Sequence, residues 1–105
     1  MKIAYQGIPG SYSESCAKEI YPESETISCK TFDECFEKSN RNSNIKTLIP
    51  ESNKTTGNIG VEYLIFKYRL NVYAEHFYPI KHNLLGLSGS NIKEIKNVYS
   101  HAQAL

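Results

Sequence analysis

The chain has 105 residues, 40% of them hydrophobic, and its 12 basic and 11 acidic side chains leave a net charge of +1. That length allows one small domain. Because the charges nearly balance, the chain has no net electrostatic field that would attract it to nucleic acid or to an anionic membrane. Because no apolar run approaches the roughly 20 residues that span a bilayer, and because the polar N-terminal start does not suit a signal peptide, we expect a soluble intracellular domain.

The first half of the chain alternates strand and helix signals. Residues Lys2–Tyr5 predict a strand that runs into the glycine-rich turn Gln6–Gly10. Ser11 and Glu14 have the spacing of a capping box, in which the hydroxyl accepts a helix N–H and the carboxylate reaches back, so a helix is predicted up to about Tyr21. This alternation predicts an α/β fold with an open parallel sheet. The later elements are strand Glu25–Lys30, a helix from the capping box of Thr31 and Glu34, strand Ile45–Pro50, and a helix with Val61, Leu64, Ile65 and Tyr68 on one face.

The second half of the chain has a different pattern. Residues Asn71–Leu87 lack a helical period and predict one extended strand, which at ~3.3 Å per residue could span over about 50 Å and cross between two lobes. A turn, a short helix over 91–96 and a short strand at Val98–Tyr99 follow. Ser100 and Gln103 form a third capping box with too few residues after it to repay helix nucleation, so we expect the domain to continue beyond this chain.

Three polar loops carry the residues that could bind a ligand. The turn Gly7–Ser13 could present backbone N–H groups to an anion, or it could be an ordinary βα turn, since it matches no nucleotide motif. The loop Pro50–Gly57 follows a strand, where open α/β sheets bind ligands, and offers neutral donors and the Lys54 cation; alternatively it caps the next helix. In Ser100–Gln103, His101 could titrate near neutral pH or could be a surface residue of the capping box.

The other reactive side chains favour structural roles. Cys16, Cys29 and Cys35 have no CxxC spacing and no base that we can place beside them, so we expect reduced thiols in the core rather than a disulfide, a zinc site or a nucleophile. His76 and His82 share one face of the predicted long strand, but they are six residues apart and no carboxylate is placed to help them. We therefore expect no metal site.

Five segments, in order and over nearly the whole chain, carry motifs that occur together in one protein family. These segments are Lys2–Ser13, Thr31–Phe36, Ile49–Gly57, Tyr78–Gly86 and Val98–Leu105. The first is similar to K-I-A-Y-L-G-P-x-G-S-Y-S, and the second to the helix motif S-F-x-x-x-F. The third is similar to the loop P-x-E-N-S-x-x-G, the fourth to the strand L-P-I-x-H-x-L-L-G, and the fifth to V-Y-S-H-P-Q-A-L. Together they resemble the prephenate dehydratase family.

The resemblance implies a two-lobed fold of the type II periplasmic-binding-protein kind, with a cleft between the lobes. Residues 1–70 would form the first lobe, and residues 71–105 the crossover strand and the start of the second lobe. The implied reaction is the decarboxylating dehydration of prephenate to phenylpyruvate in phenylalanine biosynthesis, with no metal or organic cofactor, by a cytoplasmic enzyme that is homo-oligomeric at full length. By position, the resemblance implies substrate-binding roles for Ser11, Asn53, Thr55, Thr56, Gly57, Ser100, His101 and Gln103.

The resemblance does not extend to a complete catalytic apparatus. In the family, the general acid is the threonine of a Thr-Arg-Phe motif whose arginine holds a carboxylate, and neither this motif nor the regulatory ACT domain occurs in the 105 residues. We therefore expect the chain to be inactive alone. Ser52 and Lys54 stand where the family loop has glutamate and serine, and Ala102 replaces a proline. Two alternatives remain open: an arogenate dehydratase, and a small-molecule-binding lobe of the same architecture without chemistry.

Overall fold

The computed structural model describes residues 1–53, 57–58, 60–72 and 74–100, and it shows a three-stranded sheet with helices packed against it. The first strand, β1, lies at the centre and pairs in parallel with β2 on one side and β3 on the other. The predicted small α/β fold with a parallel sheet is therefore confirmed. The strands are β1 Lys2–Gln6, β2 Glu25–Cys29 and β3 Ile45–Leu48, so β3 ends two residues before the predicted Pro50.

Two helices begin where the capping boxes predict. Helix α1 spans Tyr12–Ile20 and helix α2 spans Phe32–Arg41. The hydroxyl of Ser11 accepts the backbone N–H three residues ahead at 3.3 Å, and the hydroxyl of Thr31 does the same at 3.1 Å. Each bond satisfies one of the N–H groups that a helix N-terminus leaves unpaired, which fixes the start of the helix.

The carboxylates of the two capping boxes bind one residue earlier than predicted. Glu14 accepts the N–H of Gly10 at 2.7 Å, and Glu34 accepts the N–H of Lys30 at 2.9 Å, in each case the residue before the cap. The N–H of Ser11 itself is taken by the carbonyl of Ile8 at 3.2 Å. The two βα turns are therefore closed in the same way, by a glutamate in the first turn of the following helix.

The core includes two small clusters of buried residues, and Ile3, Tyr5, Cys16 and Ala17 are buried outside them. One surrounds Ala4 of β1, and the other lies between α2 and the third helix, α3, which spans Glu62–Tyr68. All three cysteines are free and buried, which confirms them as core residues. The buried members of the two clusters are Ala4, Cys29 and Cys35 in the first, and Phe36, Val61 and Leu64 in the second.

A short antiparallel hairpin, absent from the sequence predictions, follows β3. Its strands are β4 (Ser52–Asn53) and β5 (Gly57–Asn58), with Asn53 paired to Gly57. Residues 52–58 read as an irregular polar loop in the sequence because neither strand has an apolar face.

The long strand predicted over Asn71–Leu87 is wrong. The described residues of this segment are irregular and pair with no strand. A strand requires a hydrogen-bonding neighbour, and alternating apolar residues alone do not supply one. The short strand at Val98–Tyr99 is also absent, and the helix over 91–96 is reduced to the single 3-10 turn Ile92–Glu94.

The molecule is elongated, with principal extents of 51 × 29 × 22 Å. Its radius of gyration is 16.2 Å, against about 13 Å for a compact domain of this length. Across the described residues, no helix has the length and apolar character needed to cross a membrane.

Candidate functional site

The candidate site lies at the carboxyl edge of the sheet, where the turns after the three parallel strands emerge together. Residues 7–11 follow β1, Lys30 follows β2, and residues 49–52 follow β3. Because β1 and β3 are neighbours, with Tyr5 beside Leu48, the turn after β1 and the hairpin after β3 start from the same edge. Open α/β sheets bind ligands at this edge.

The glycine-rich turn after β1 uses most of its backbone N–H groups internally. Gly7 donates to the carbonyl of Cys29 at 2.9 Å, Gly10 donates to Glu14, and Ser11 donates to Ile8. Gly7 and Gly10 have φ angles of 135° and 91°, a region that favours glycine. The N–H groups of Gly7, Gly10 and Ser11 are therefore committed within the turn, as in an ordinary βα turn.

Ser11 is placed so that its hydroxyl can still donate. Its oxygen accepts the N–H of Glu14 as the helix cap. Among the described residues, no hydrogen bond commits the hydroxyl hydrogen, so it can bind a carboxylate or carbonyl of a ligand. A Cβ at Gly7 would lie 3.3 Å from this oxygen, so the glycine is what gives the hydroxyl its room.

Only some of the remaining predicted binding residues lie in the part of the chain that the structure describes. Asn53 and Gly57 face each other across the hairpin β4–β5, which brings their backbones together. Ser100 is exposed and lines a groove formed by residues 82–100, which shares no lining residue with the groove at the sheet edge. Four predicted residues, Thr55, Thr56, His101 and Gln103, lie outside the described residues.

A groove of about 680 Å³ opens at the ends of β1 and β2, and the sequence did not single it out. Its charged groups are Lys30 and Glu34, and Ser28 donates a hydrogen bond across it to the carbonyl of Gly7. The one sequence feature that pointed to this groove is the position of Lys30 directly after a strand. The residues around Lys30 do not indicate that β2 lies beside β1. The groove is lined by Gln6, Gly7, Ile8, Ser28, Cys29, Lys30 and Glu34.

Glu14 holds the turn, the helix and the sheet together. One carboxylate oxygen accepts the N–H of Gly10, and the other binds Lys18 at 2.9 Å and the hydroxyl of Thr26 on β2 at 3.1 Å. The Gly10 N–H, and after it the Lys18 ammonium, lower the pKa of Glu14 below its ordinary value. Glu14 is therefore an ionised positioning group behind Ser11.

The thiols and histidines form no reactive cluster in the described part of the chain. Burial raises the pKa of the Cys29 and Cys35 thiols, which keeps them protonated and unreactive. His76 does have a carboxylate partner, contrary to the sequence interpretation: Glu19 of α1 lies 2.8 Å from its Nε2. Among the described residues, no group of three or more histidine, cysteine or acidic side chains is placed so that it could hold a metal ion.

Comparison with known proteins gives a consistent set of relatives. A family model described as Prephenate dehydratase matches residues 3–105. The chain is similar to Arogenate dehydratase 2 of Petunia hybrida, at 39% identity over 106 residues, which cover all of this chain and 27% of that protein. It is also similar to Arogenate dehydratase/prephenate dehydratase 2, chloroplastic, of Arabidopsis thaliana, at 37% identity over all of this chain and 28% of that protein.

A third relative is Arogenate dehydratase 5, chloroplastic, of Arabidopsis thaliana, which is 39% identical over all of this chain and 25% of its own length. The chain thus spans about a quarter of the length of these curated relatives. No solved structure matches the chain.

Proposed function

Because the chain belongs to the prephenate dehydratase family, we propose that it supplies the first lobe and one wall of the substrate site of an enzyme that converts prephenate to phenylpyruvate. The observation that carries this proposal is the family match across residues 3–105. The sheet edge supports it, since the Ser11 turn and the Asn53 hairpin follow neighbouring parallel strands.

The substrate defines what this wall has to do. Prephenate carries two carboxylates and a ring hydroxyl, so its site needs hydrogen-bond donors for the carboxylates and an acid for the departing hydroxyl. We assign donor roles to the residues at the end of β1 and in the loop after β3, and to the residues that would begin the second lobe. The first set is Ser11, Asn53, Thr55, Thr56 and Gly57, and the second is Ser100, His101 and Gln103.

The general acid is assigned to a Thr-Arg-Phe motif outside these 105 residues. Residues 1–70 form the first lobe in this proposal, and residues 71–105 lead to the second in a two-lobed, periplasmic-binding-protein-like fold. The chain alone then binds substrate weakly and does not turn it over. At full length we propose a homo-oligomer.

Arogenate is the second candidate substrate, because the relatives from Petunia and Arabidopsis carry that name, some together with prephenate. Arogenate has an amino group where prephenate has a ketone, so the two differ at one end of the molecule while the ring chemistry is shared. The names of the Arabidopsis proteins also include the word chloroplastic, so a plastid location stands beside the cytoplasmic one in this proposal.

A chimera provides the functional test. Residues 1–105 replace the 106 matched residues of the Petunia protein, which then supplies the rest of the enzyme. We expect the chimera to form phenylpyruvate from prephenate, also in the presence of a chelator. Its kcat/KM should lie within about 100-fold of the kcat/KM that the parent protein shows for the parent's best substrate. The isolated 105-residue chain is the matched control and should form no product.

Other outcomes distinguish the alternatives. In one of them, the chimera turns over arogenate at least tenfold faster than it turns over prephenate. If this ratio also exceeds the ratio measured for the parent protein, the result would support arogenate as the substrate. A folded chimera that binds prephenate without forming product would support the non-catalytic binding lobe, for which the altered residues Ser52 and Lys54 are the motivation.

A further inference from the structure

Residues 76–81, which we call the strap, pass along helix α1 and touch it at two points. The Tyr12 hydroxyl donates a hydrogen bond to the carbonyl of Lys81 and accepts the N–H of the same residue at 3.1 Å, so one phenol satisfies both backbone groups. The Nε2 of His76 lies 2.8 Å from a carboxylate oxygen of Glu19. The ring of Tyr78 packs edge-on against Tyr12, with ring centroids 6.2 Å apart.

The spacing of these contacts follows from helix geometry. Tyr12 and Glu19 are seven residues apart, which puts them on one face of α1 and about 10 Å apart along its axis. Lys81 and His76 meet them in the opposite order, so the strap runs antiparallel to the helix. Five residues can extend to about 16 Å, so the strap reaches both partners without being stretched.

Little else holds the strap. All of its residues except the half-buried Tyr78 are exposed, and it pairs with no strand among the described residues. Its position is therefore set by the two contacts with α1, and weakening either contact frees one end.

We propose that α1 clasps the strap at both ends, through the Tyr12 hydroxyl and the Glu19 carboxylate, and that breaking either contact releases that end of the strap. The clasp starts one residue after Ser11, so it couples the course of the strap to the turn at the sheet edge. It is independent of which reaction the enzyme catalyses.

The histidine end is a bond between two side chains. A carboxylate oxygen accepts, so Nε2 of His76 donates the hydrogen of this bond to Glu19. On α1, Glu14 and Lys18 are paired with each other at 2.9 Å, which leaves Glu19 as the carboxylate for His76.

Hydrogen exchange measured by NMR on the 105-residue chain tests the tyrosine end. The Lys81 amide is the donor to Tyr12, so the substitution Tyr12→Phe removes its partner and keeps the ring. We expect the protection factor of this amide to fall about fivefold to tenfold. Tyr63→Phe is the matched control, since Tyr63 on α3 is 61% exposed and should leave Lys81 unchanged. Unaltered exchange at Ala4 and Tyr5 of the buried strand β1 shows that the fold is intact.

The histidine end is tested by substitution. We expect nuclear Overhauser contacts between the His76 ring and helix α1 in the natural chain, and their loss in Glu19→Ala, which removes the acceptor. Glu23→Ala, at an exposed position just after α1, should preserve them. A Lys81 amide unprotected in the natural chain, unchanged protection in Tyr12→Phe, or His76 contacts retained in Glu19→Ala would overturn the proposal.

Discussion

At the scale of single residues, Glu14 shows how a sequence motif acquires a tertiary role. Its spacing from Ser11 is a local capping signal, but its carboxylate binds Gly10 in the preceding turn and Thr26 on β2. These bonds fix the turn against the sheet, one residue before Ser11. In the function proposed above, this would preorganise the Ser11 hydroxyl, and a preorganised donor loses little entropy on binding.

The lowered pKa of Glu14 predicts how acid destabilises the fold. The ionised carboxylate of Glu14 adds to the free energy of unfolding. This contribution is present above pH 4.5, the ordinary pKa of the group, and it is lost as the pH falls through the lower pKa of the folded state. Glu14→Gln should therefore reduce the free energy of unfolding at pH 7 and make its decline between pH 5 and 3 shallower. Urea unfolding at several pH values measures this, with Glu51→Gln at an exposed position as control. An unchanged acid slope would contradict the role of Glu14.

At the scale of secondary-structure elements, the packing of α3 onto α2 closes the second core cluster. Phe36 and Tyr68 stack with ring centroids 5.9 Å apart, and the Tyr68 hydroxyl and Lys67 ammonium both bind Asp33 at the start of α2. Leu64 is fully buried between the helices, whereas Phe66, two residues on, is 83% exposed. The buried side of this short helix therefore contributes more to the free energy of unfolding than the exposed side.

The substitution Leu64→Ala should lower the free energy of unfolding by about 2–5 kcal/mol, since it removes buried methyl groups and leaves a cavity. That is a large part of the stability of a small domain. Phe66→Ala is the matched control and should change stability by less than about 0.5 kcal/mol. Equilibrium unfolding in urea distinguishes them, and equal effects of the two substitutions would show that α3 does not pack on α2 in solution.

Elements with local signals were predicted, and elements that depend on distant partners were not. The starts of α1 and α2 follow from Ser11 and Thr31, whose caps are completed within three residues. The hairpin β4–β5 and the irregular course of 71–87 depend on which backbone lies alongside, and alternating apolar residues do not encode that. For the site, the sequence placed Ser11 and Asn53 at one sheet edge, but not Lys30 and the groove beside β2.

At the scale of the whole molecule, the buried and exposed apolar residues are divided along the chain. Every buried hydrophobic residue in the described ranges lies at or before Leu64. Among the described residues after 70, the large hydrophobic side chains other than Tyr78 are exposed, for example Phe77 at 89% and Leu85 at 86%. Such a run is uncommon on a free surface and is typical of a region that packs against other protein.

Removal of residues 71–105 should therefore cost little stability. We expect the melting temperature of residues 1–70 to stay within about 4 °C of that of the chain, which corresponds to ~1 kcal/mol. Binding of a dye specific for exposed apolar surface should fall sharply, because the exposed hydrophobic residues are removed. Loss of cooperative unfolding in the shorter chain would show that the fold of residues 1–70 needs residues 71–105.

The claim that this chain forms one wall of a dehydratase site is tested most directly by a charge change at Asn53 in the chimera described above. Asn53→Asp keeps the size of the side chain but places a negative charge where a substrate carboxylate should bind. Asn44→Asp, just before the start of β3 at the opposite edge of the sheet, is the matched control. We expect kcat/KM for prephenate to fall about 100-fold in Asn53→Asp and to stay unchanged in Asn44→Asp; equal activity of the two variants would contradict the claim.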